Sequence, residues 1–558
     1  MSVRPKSGTL LSMQFPAVNL EAIPDLVTRQ VVVQLLNLIE TQASENPALQ
    51  VENQQLRDAL ARLKGSAGKP AITPSVPPPP RNHSSEAERQ TRTPRGTPKK
   101  NATLTVTREE RGLVDPATLP PDARFNRTRA VLVQDLGIQT EGIRFVREAW
   151  VVPSTNTTIL APLPPGYHGA FGPTLHALVL ALGHDTANVS QPALLHFLRA
   201  VGVSIGTGTL ARFLLDSTGR WGTEADAIHQ VGLPSGDWVA TDQTSPRVDG
   251  QHEVCHVVGN ARFTRSHTRP GGTRQDVLAI LWGQELVFRL NDATVAWLAH
   301  TRLPAPLRKR LRLAVPWDTE VTAAALRAHL SAAGIRLGRQ QQQQVGDALA
   351  VAAYHAQTRV PSVEWLLRDD ATMYDHLSTG HGLCWVHDWR HYAKLRPILA
   401  CHQRLLSDDR KDDWALYRAL LAYQQAPTAQ ERARLADACD TLIDRETGYA
   451  ALDARISKTA DKRAPLLAVL ELPDLPLHNN AMELAARRRV RKRDVRFGPQ
   501  SRAGAGAWDT FQTLADTAAK LGVGLFHELR DRLVSPDTTP SLAERIVERS
   551  RLAAQPAG

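Results

Sequence analysis

The hydrophobic pattern of this chain changes its period at Gly236, and that change limits the folds available to it. Upstream segments carry apolar residues at helical spacing, whereas the segments that follow have the composition of β-strands. Three strand-like runs follow Gly236, at residues 238–248, 253–258 and 262–268. They are separated by Asp249-Gly250 and Gly259-Asn260, and links of this composition are typical of hairpin turns. The sequence therefore predicts an antiparallel meander.

Helices and short strands alternate after the meander. The pattern predicts, in order, a helix at 273–281, a strand at 363–368, a helix at 372–377, a strand at 383–386 and helices from 388 onward. Three hairpin strands followed by this alternation form the element order of an RNase-H-like fold. We therefore expect an α/β protein whose RNase-H-like mixed sheet is interrupted by large helical insertions.

The expected domain boundaries follow from this order. The RNase-H-like core would comprise residues 236–283, 361–400 and 476–533. Two helical insertions would separate its parts, at residues 284–360 and 401–475. A short polar tail would end the chain at residues 534–558.

The N-terminal segment, residues 1–64, is predicted to contain helices and a short coiled coil. Leu49, Leu56 and Leu63 recur at seven-residue spacing, and Asn53 lies in the seam, where a polar residue fixes register and partner number. A single amphipathic helix packed on its own domain is the alternative. The proline-rich residues 65–125 then predict a basic linker, whose cations could touch DNA or simply be solvated.

A small β-like segment at 126–168 precedes a helical domain at 169–235. Within that domain, helical stretches lie on both sides of the turn Gly202-Val203-Ser204. Helix, short glycine-containing turn and helix is the plan of a helix-turn-helix, whose second helix can enter a major groove. We therefore expect a helix-turn-helix-like DNA-binding domain; any three-helix scaffold would show the same pattern.

The charge balance points to a polyanionic partner. The 558 residues include 67 Lys and Arg against 56 Asp and Glu, a formal net charge of +11, and clustered cations attract phosphates. Four cysteines are too few for a disulfide framework of this size, which favours a reducing cytosol. No apolar run has the length of a signal peptide core or a membrane span, so a cytoplasmic protein without a membrane partner is expected.

Several carboxylates lie where a metal-dependent site would need them. Asp242 interrupts an apolar strand-like run, Asp369 and Asp370 end the next predicted strand, and Glu483 begins a late helix. Phosphoryl transfer on DNA uses two divalent ions about 4 Å apart, and Mg²⁺ prefers carboxylate oxygens from separate elements. Each residue also has a structural interpretation: an edge position for the first, a helix cap for the pair, and a capping box with Asn480 for the last.

Three strings in this order resemble the motifs of bacterial insertion-sequence transposases of the insertion-sequence-66 type. The first is Asp242-Gln243-Thr244 followed by Arg247. The second is Asp369, then Tyr374 and the run Cys384-Trp385-Val386-His387. The third is Asn479-Asn480-Ala481-Met482-Glu483 followed by Arg487. The resemblance extends from the predicted coiled coil to about Leu533.

This resemblance implies a DNA transposase with an Asp-Asp-Glu triad on an RNase-H-like fold. Asp242, Asp369 and Glu483 would bind two Mg²⁺ or Mn²⁺ ions, with Asp370 as the alternate ligand and Asn479, Asn480 and His387 in support. The enzyme would hydrolyse a phosphodiester at an element end, and the freed 3′-hydroxyl would attack target DNA. A homodimer or higher oligomer, accessory proteins and a place at the bacterial nucleoid are implied in the same way.

The sequence departs from the family pattern at several points. Gln243 replaces the usual acidic neighbour of the first aspartate, and the distance from Asp242 to Asp369 is long. The cysteine-rich zinc segment that many members carry is absent, because no cysteine precedes Cys255. These departures suggest a variant subgroup.

A basic run directly follows Glu483 and predicts phosphate contacts near the site. Its candidate DNA-binding residues are Arg487, Arg488, Arg489, Arg491, Lys492 and Arg493, together with Arg247. A separate group of His381, Cys384, His387 and His391 has zinc-like Cys-x-x-His spacing but no evident second pair. We interpret Cys384 and Trp385 as a buried strand and His387 as a donor beside the site.

Two other classes of protein fit the same features. One is a dimeric DNA-binding regulator with a catalytically inactive RNase-H-like domain. The other is a structure-specific nuclease of the same fold. Strand transfer distinguishes a transposase from both.

Overall fold

The computed structural model describes residues 22–42, 106–120, 123–125, 128–133, 135–167, 169–185, 189–216 and 219–554. The predicted coiled coil at 49–63 and most of the predicted linker lie outside these residues. The chain forms two units, one of Gln54–Arg144 with Val201–Val203 and one of Met1–Asn53, Phe145–Ala200 and Ser204–Gly558. In the smaller unit, a 3₁₀ turn spans Pro116–Thr118, and the Thr140 hydroxyl donates to the carbonyl of Val201 at 2.6 Å.

The larger unit is mixed α/β, and its centre is a five-stranded sheet. The strands are β1 (Ala149–Val152), β2 (Thr157–Leu160), β3 (Trp238–Thr244), β4 (Arg247–Val248), β5 (Gln251–His252), β6 (Val254–Gly259), β7 (Thr264–Arg269), β8 (Val287–Arg289), β9 (Glu320–Thr322), β10 (Trp365–Arg368) and β11 (Gly380–Leu383). The central sheet has the order β11-β10-β3-β6-β7. Strands β3, β6 and β7 are antiparallel neighbours, as the meander prediction requires, whereas β10 and β11 run parallel to β3.

Helices precede, interrupt and follow this sheet. They are α1 (26–42), α2 (Pro173–His184), α3 (Gln191–Ala200), α4 (Thr207–Leu215), α5 (Arg220–Gly232), α6 (Arg274–Trp282), α7 (Asp292–Ala299), α8 (Ala305–Ala314), α9 (Ala323–Ala332), α10 (Arg339–Ala356), α11 (Trp385–Tyr392), α12 (Ala400–Gln425), α13 (Ala429–Ile443), α14 (Ala450–Ala460), α15 (Arg463–Leu466), α16 (Asn480–Arg496), α17 (Arg502–Lys520), α18 (Leu525–Val534) and α19 (Leu542–Ala554). Both predicted insertions are present as helices, α7–α10 and α12–α15. The first also contains β8 paired with β9, a small sheet that the sequence pattern did not indicate.

Side chains of α17 cover the outer edge of the sheet. The backbone N–H groups of Thr264 and Ser266 on β7 donate to the hydroxyls of Thr517 and Thr513, at 3.2 and 3.1 Å. The N–H of Thr268 donates to Asp509 at 2.7 Å. An uncovered edge strand would expose a row of such groups to other chains, so the polar face of α17 completes the sheet.

The upstream elements agree in part with their prediction. Helices α2, α3 and α4 confirm the three predicted helical stretches, and α5 adds a fourth. The β-like segment is smaller than expected, because only β1 and β2 pair as a hairpin. The described residues at the start of the predicted segment, 128–133 and 135, form no strand.

The predicted strand at 383–386 is wrong. The strand is Gly380–Leu383, and α11 begins at Trp385, so Cys384 precedes a helix instead of lying in a strand. Glycine is required in β11 because a Cβ at Gly380 would lie 2.4 Å from the ring of Trp365. A glycine usually weakens a strand, which is why the sequence pattern placed the strand three residues too late.

The polar tail predicted at 534–558 is also wrong, since α19 lies within it. Leu542 and Ile546 are fully buried, and this four-residue spacing puts both on one helix face. Ser541 and Glu544 begin the helix with reciprocal hydrogen bonds of 2.7 and 3.1 Å. Among the described residues, none of the helices combines the length and the apolar character that crossing a membrane requires.

Candidate active site

Asp242 lies on β3, the middle strand of the sheet, close to two other acidic side chains. Its Oδ1 accepts a hydrogen bond from the backbone N–H of Gln243 at 2.8 Å. The pKa of Asp242 is raised to about 6, chiefly by burial and in addition by the negative charges of Glu483 and Asp369, while that hydrogen bond and the charge of Arg390 oppose the rise. Like charges that are held together disfavour ionisation. The three predicted triad carboxylates therefore interact at one place.

Asp369 comes directly after β10, which is the parallel neighbour of β3. The register pairs Leu367 with Ala240, and continuing it by two residues places Asp369 opposite Asp242. One Asp369 oxygen accepts the N–H of Ala371 at 3.1 Å, a local turn contact that matches the capping alternative without using the whole carboxylate.

Asp370 has a different environment from its neighbour. Its carboxylate forms an ion pair with the ammonium of Lys462, which also lies 3.7 Å from Asp388. The charge of Asp369, by contrast, acts on Asp242 and on the buried phenol of Tyr374. Of the two adjacent aspartates, Asp369 is the one that faces the other carboxylates.

Glu483 lies in the first turn of α16 and is only 7% exposed. Its Oε2 accepts hydrogen bonds from Arg390 at 2.9 Å and from Arg487 at 3.0 Å. Its Oε1 is buried, lies 3.6 Å from Nε2 of His387 and has no hydrogen-bond partner among the described residues. The capping-box alternative is wrong, because Asn479 precedes the helix without a side-chain cap and Glu483 binds arginines instead.

Asn479 fixes the start of α16 against the sheet. Its side-chain amide donates to the carbonyl of Thr241 at 2.7 Å, and its backbone N–H donates to the sulfur of Cys384 at 3.3 Å. Thr241 directly precedes Asp242, so one buried amide joins the elements that carry the first and third carboxylates. Asn480, the other predicted supporting residue, is the first residue of the helix.

Cys384, His387 and Glu483 form a second possible ligand set. Their ligand atoms all lie within 4.8 Å of one another. Burial raises the pKa of the Cys384 thiol to about 11. Burial also lowers the pKa of the His387 imidazole, and the negative charge of Glu483 partly opposes that decrease. One thiol and one imidazole suit Zn²⁺ better than Mg²⁺. His381 and His391, from the predicted histidine group, are not part of this set.

A cavity of about 320 Å³ adjoins these residues, with Asp369, Asp370, Cys384 and His387 in its wall. Arg390, which binds Glu483, is the one site residue that sequence reasoning missed. Its signal was its position three residues after His387 on the same helix, since residues at this spacing share a face.

The predicted DNA-binding run is divided by the periodicity of α16, and for part of it the prediction is wrong. Arg489 and Lys492 are buried: Arg489 binds Asp509 at 2.7 Å, and Lys492 donates to Nδ1 of His184 at 2.7 Å. Neither can contact DNA in this conformation.

The other members of the run remain available to different degrees. Arg488 forms an ion pair with Asp516, and Arg487 binds Glu483 while staying exposed. Arg491 and Arg247 are exposed, and Arg493 donates to the carbonyl of Ser245 at 2.9 Å. The exposed cations Arg487 and Arg491 therefore lie on one side of α16, and the exposed Arg247 lies on β4.

Comparison with known proteins identifies a relative but no activity. The chain is 31% identical over 307 residues to an uncharacterized protein of Sinorhizobium fredii, y4jO, and the match covers 54% of this chain and 94% of that protein. The chain therefore belongs to the same family as y4jO. No family model matches the sequence, and no solved structure matches it.

Proposed function

We propose that this protein is a DDE-type DNA transposase with an RNase-H-like catalytic core. The observation that carries the proposal is the meeting of Asp242, Asp369 and Glu483, which come from three separate elements. Asp242 lies on β3, Asp369 comes directly after the neighbouring parallel strand β10, and the charges of Asp369 and Glu483 both raise the pKa of Asp242. The strand order, with three antiparallel strands followed by two parallel ones, supports the fold assignment.

The residues present fit a pair of divalent cations. Three carboxylates share a partly buried site, and one oxygen of Glu483 is buried without a hydrogen-bond partner among the described residues. Oxygen ligands of this kind suit Mg²⁺ or Mn²⁺. When bound, two such ions activate an attacking oxygen and stabilise the leaving oxygen.

The protein's own side chains would organise that chemistry. Asp242 must lose its proton to bind a cation, and a pKa of about 6 keeps it ionised at neutral pH. Arg390 and Arg487 hold one oxygen of Glu483 and leave the other directed at the site. The buried amide of Asn479 fixes the distance between β3 and α16. No side chain would form a covalent intermediate with DNA.

The substrate would be held by cations outside the carboxylate cluster. Arg491 and Arg247 are exposed, and the hydrogen bond from Arg493 to Ser245 joins α16 to the loop that precedes Arg247 and β4. Cations around such a site would bind the phosphates that flank the cleaved bond. The partners would be element ends and target DNA at the bacterial nucleoid. A homodimer or higher oligomer, possible accessory proteins and a DNA-reading role of α2–α4 are part of the same proposal.

A strand-transfer assay tests the proposal. Full-length protein is incubated with Mg²⁺, a labelled duplex taken from the DNA that flanks its gene, and a supercoiled target plasmid. Joined product is expected with the wild type and not with Asp242→Asn, while duplex binding by the variant is retained. Cleavage without joining would favour the nuclease, and tight binding without either reaction would favour the inactive regulator.

Metal analysis separates the proposed site from its competitor. The purified protein is expected to contain no stoichiometric zinc, because the proposed ligands are carboxylates that exchange Mg²⁺ readily. Zinc at one ion per chain that disappears in Cys384→Ser would instead support the Cys384, His387 and Glu483 set.

A further inference from the structure

The first helical insertion carries a strong excess of positive charge that the proposed active site does not use. Residues 301–345 contain seven arginines and one lysine but only two acidic residues. We call the eight cations the basic face: Arg302, Arg308, Lys309, Arg310, Arg312, Arg327, Arg336 and Arg339. The two acidic residues, Asp318 and Glu320, are bound to Arg289, and Glu320 also binds Arg359. Neither of them neutralises the basic face.

The geometry of α8 directs its cations outward. Leu311 is buried beneath the helix, and the opposite side carries Lys309 and Arg312, both exposed. Two further cations of α8 are anchored to the backbone: Arg308 donates to the carbonyl of Leu298 at 3.3 Å, and Arg310 donates to those of Ala333 and Gly334 at 3.0 and 3.1 Å. These contacts fix the helix while leaving the charges without acidic partners.

The basic face continues from α8 onto α9 and the segment that follows it. Arg310 reaches the end of α9, and two residues beyond Gly334 lies Arg336. Arg336 and Arg327 line the same cavity of about 710 Å³, together with Gly334. The cations of α8, α9 and the next link are therefore neighbours on the folded protein.

The charge imbalance distinguishes this face from an ordinary solvated helix. Helix α12, in the second insertion, has four basic and four acidic residues in its 26 residues, and three of the four acidic groups form ion pairs with Lys411 or Arg445. Among the residues that the structure describes, none of the eight cations of the basic face has an ion-pair partner within 4 Å. Uncompensated repulsion of this kind lowers stability, and a polyanion would remove it.

We propose that the basic face binds the phosphate backbone of duplex DNA, at a site separate from the carboxylates. Seven of its eight cations are arginines, whose planar guanidinium groups bind phosphate oxygens in pairs. Binding needs no base contact and no cleavage, so the inference goes beyond the proposed transposase chemistry. The basic face would bind a double-stranded part of the DNA that lies away from the reacting phosphodiester.

Anionic lipid is a less suitable partner for this surface. A helix that lies on a membrane needs a broad apolar face directed outward. The apolar residues Leu307 and Leu311 of α8 face the protein, and Leu313 is the large apolar residue of this helix that is mostly exposed. Nearby Trp317 is covered in part by the guanidinium of Arg312, 4.9 Å from the ring centroid.

Duplex binding by full-length protein tests the inference. The variant Lys309→Gln/Arg312→Gln/Arg327→Gln leaves the backbone anchors Arg308 and Arg310 intact. Its matched control is Arg404→Gln/Arg410→Gln/Arg418→Gln, three exposed arginines of α12 of which Arg410 also stacks on a tryptophan ring, at 5.9 Å. Affinity for a 40-base-pair duplex is measured at several salt concentrations. All proteins carry Asp242→Asn and are kept in EDTA, so catalysis cannot affect the result.

The expected outcome is at least a tenfold weaker affinity for the triple variant. The slope of log affinity against log salt should fall by about 3, since each phosphate contact contributes about 0.9. The Asp242→Asn parent and the control should have equal affinity. Equal affinity of the triple variant and the control would overturn the inference, as would unchanged DNA binding with lost binding to phosphatidylserine vesicles. Because catalysis is absent from the assay, neither result depends on whether the protein is a transposase.

Discussion

Two groups of buried charges, at the carboxylate site and beside α17, differ in charge compensation: the first collects like charges, and the second pairs opposite charges. At the carboxylate site, Asp242 is close to two other acidic groups and forms no ion pair among the described residues, although the charge of Arg390 acts on it from a distance. Beside α17, the buried guanidinium of Arg489 binds Asp509 and the hydroxyl of Thr268, at 2.7 and 2.8 Å. The first arrangement costs stability until a cation binds, whereas the second contributes to the fold. Removing a charge should therefore have opposite effects in the two places.

The largest expected effect is on strand joining, and it tests which aspartates belong to the carboxylate group. Asp369→Asn should lower the joining rate by a factor of about 10³ or more, because electrostatic terms at such sites are usually the largest ones. The matched variant is Asp370→Asn, because the Asp370 carboxylate forms an ion pair with Lys462. Single-turnover joining with saturating protein measures both. Equal losses in the two variants would mean that Asp370 shares the site.

The largest expected effect on stability comes from the balanced charge pair. Arg489→Met should destabilise the protein by about 3–5 kcal/mol, because it leaves the Asp509 carboxylate buried without its cation. Arg491→Met, two positions along the same helix but exposed, should change stability by less than about 0.5 kcal/mol.

Urea unfolding of both variants at pH 7.5 provides the measurement. DNA binding should respond in the opposite way, with Arg491→Met weakening it and Arg489→Met not, since only Arg491 is accessible. Equal stability of Arg489→Met and wild type would show that the buried pair does not support the fold.

Asp242→Asn should stabilise the protein while it abolishes activity. The folded protein raises the pKa of Asp242 from 3.8 to about 6, so the folded state holds this proton more tightly than the unfolded state. Above pH 6 the ionised carboxylate therefore lowers stability, by on the order of 2 kcal/mol. This cost disappears as the pH falls from 6 towards 4, where both states become protonated.

Thermal unfolding of Asp242→Asn and wild type across this pH range checks the sign. The variant should melt higher at pH 7.5, and the two should converge near pH 4. Added Mg²⁺ should raise the melting temperature of the wild type alone. A variant that is less stable at pH 7.5 would contradict the assignment of Asp242 to an uncompensated cluster.

The sequence predicts the carboxylate site better than the surroundings of α16. Asp242 and Asp369 could be named because each lies within or directly after a strand-like run and belongs to a short string that resembles a family motif, and both signals are local in the sequence. The burial of Arg489 and Lys492 could not, because their partners Asp509 and His184 lie on other helices, the latter 308 positions away. In the sequence, the six cations of this seven-residue run cannot be told apart. Only the packing of the helix shows which of them are buried.

The errors in the fold have the same origin. Strand β11 contains Gly380 because the ring of Trp365 leaves no room for a Cβ at that position, and α19 depends on burial of Leu542 by distant elements. The basic face was not predicted either, since its eight cations are spread over α8, α9, the start of α10 and the links before α8 and after α9. Contacts far apart in the sequence decide each of these features.

Substitution of Lys492 should have the smallest effect on stability of these buried cations. It tests whether a buried cation must have an acidic partner to stabilise the fold. It is buried next to Arg489 and Arg496, and burial together with these like charges lowers its pKa well below the usual value. Its ammonium donates to His184, whose own pKa is lowered by burial and by Lys492. A lysine that is disfavoured as a cation contributes little by its charge, so Lys492→Met, which keeps most of the volume, should change stability by less than about 1 kcal/mol. Arg489→Met, three residues earlier and equally buried, serves as the comparison in the same urea series. If both methionine variants lost several kcal/mol of stability, the cationic form of Lys492 would be as necessary to the fold as that of Arg489. An acidic partner would then not be what distinguishes buried cations that stabilise the fold from those that do not.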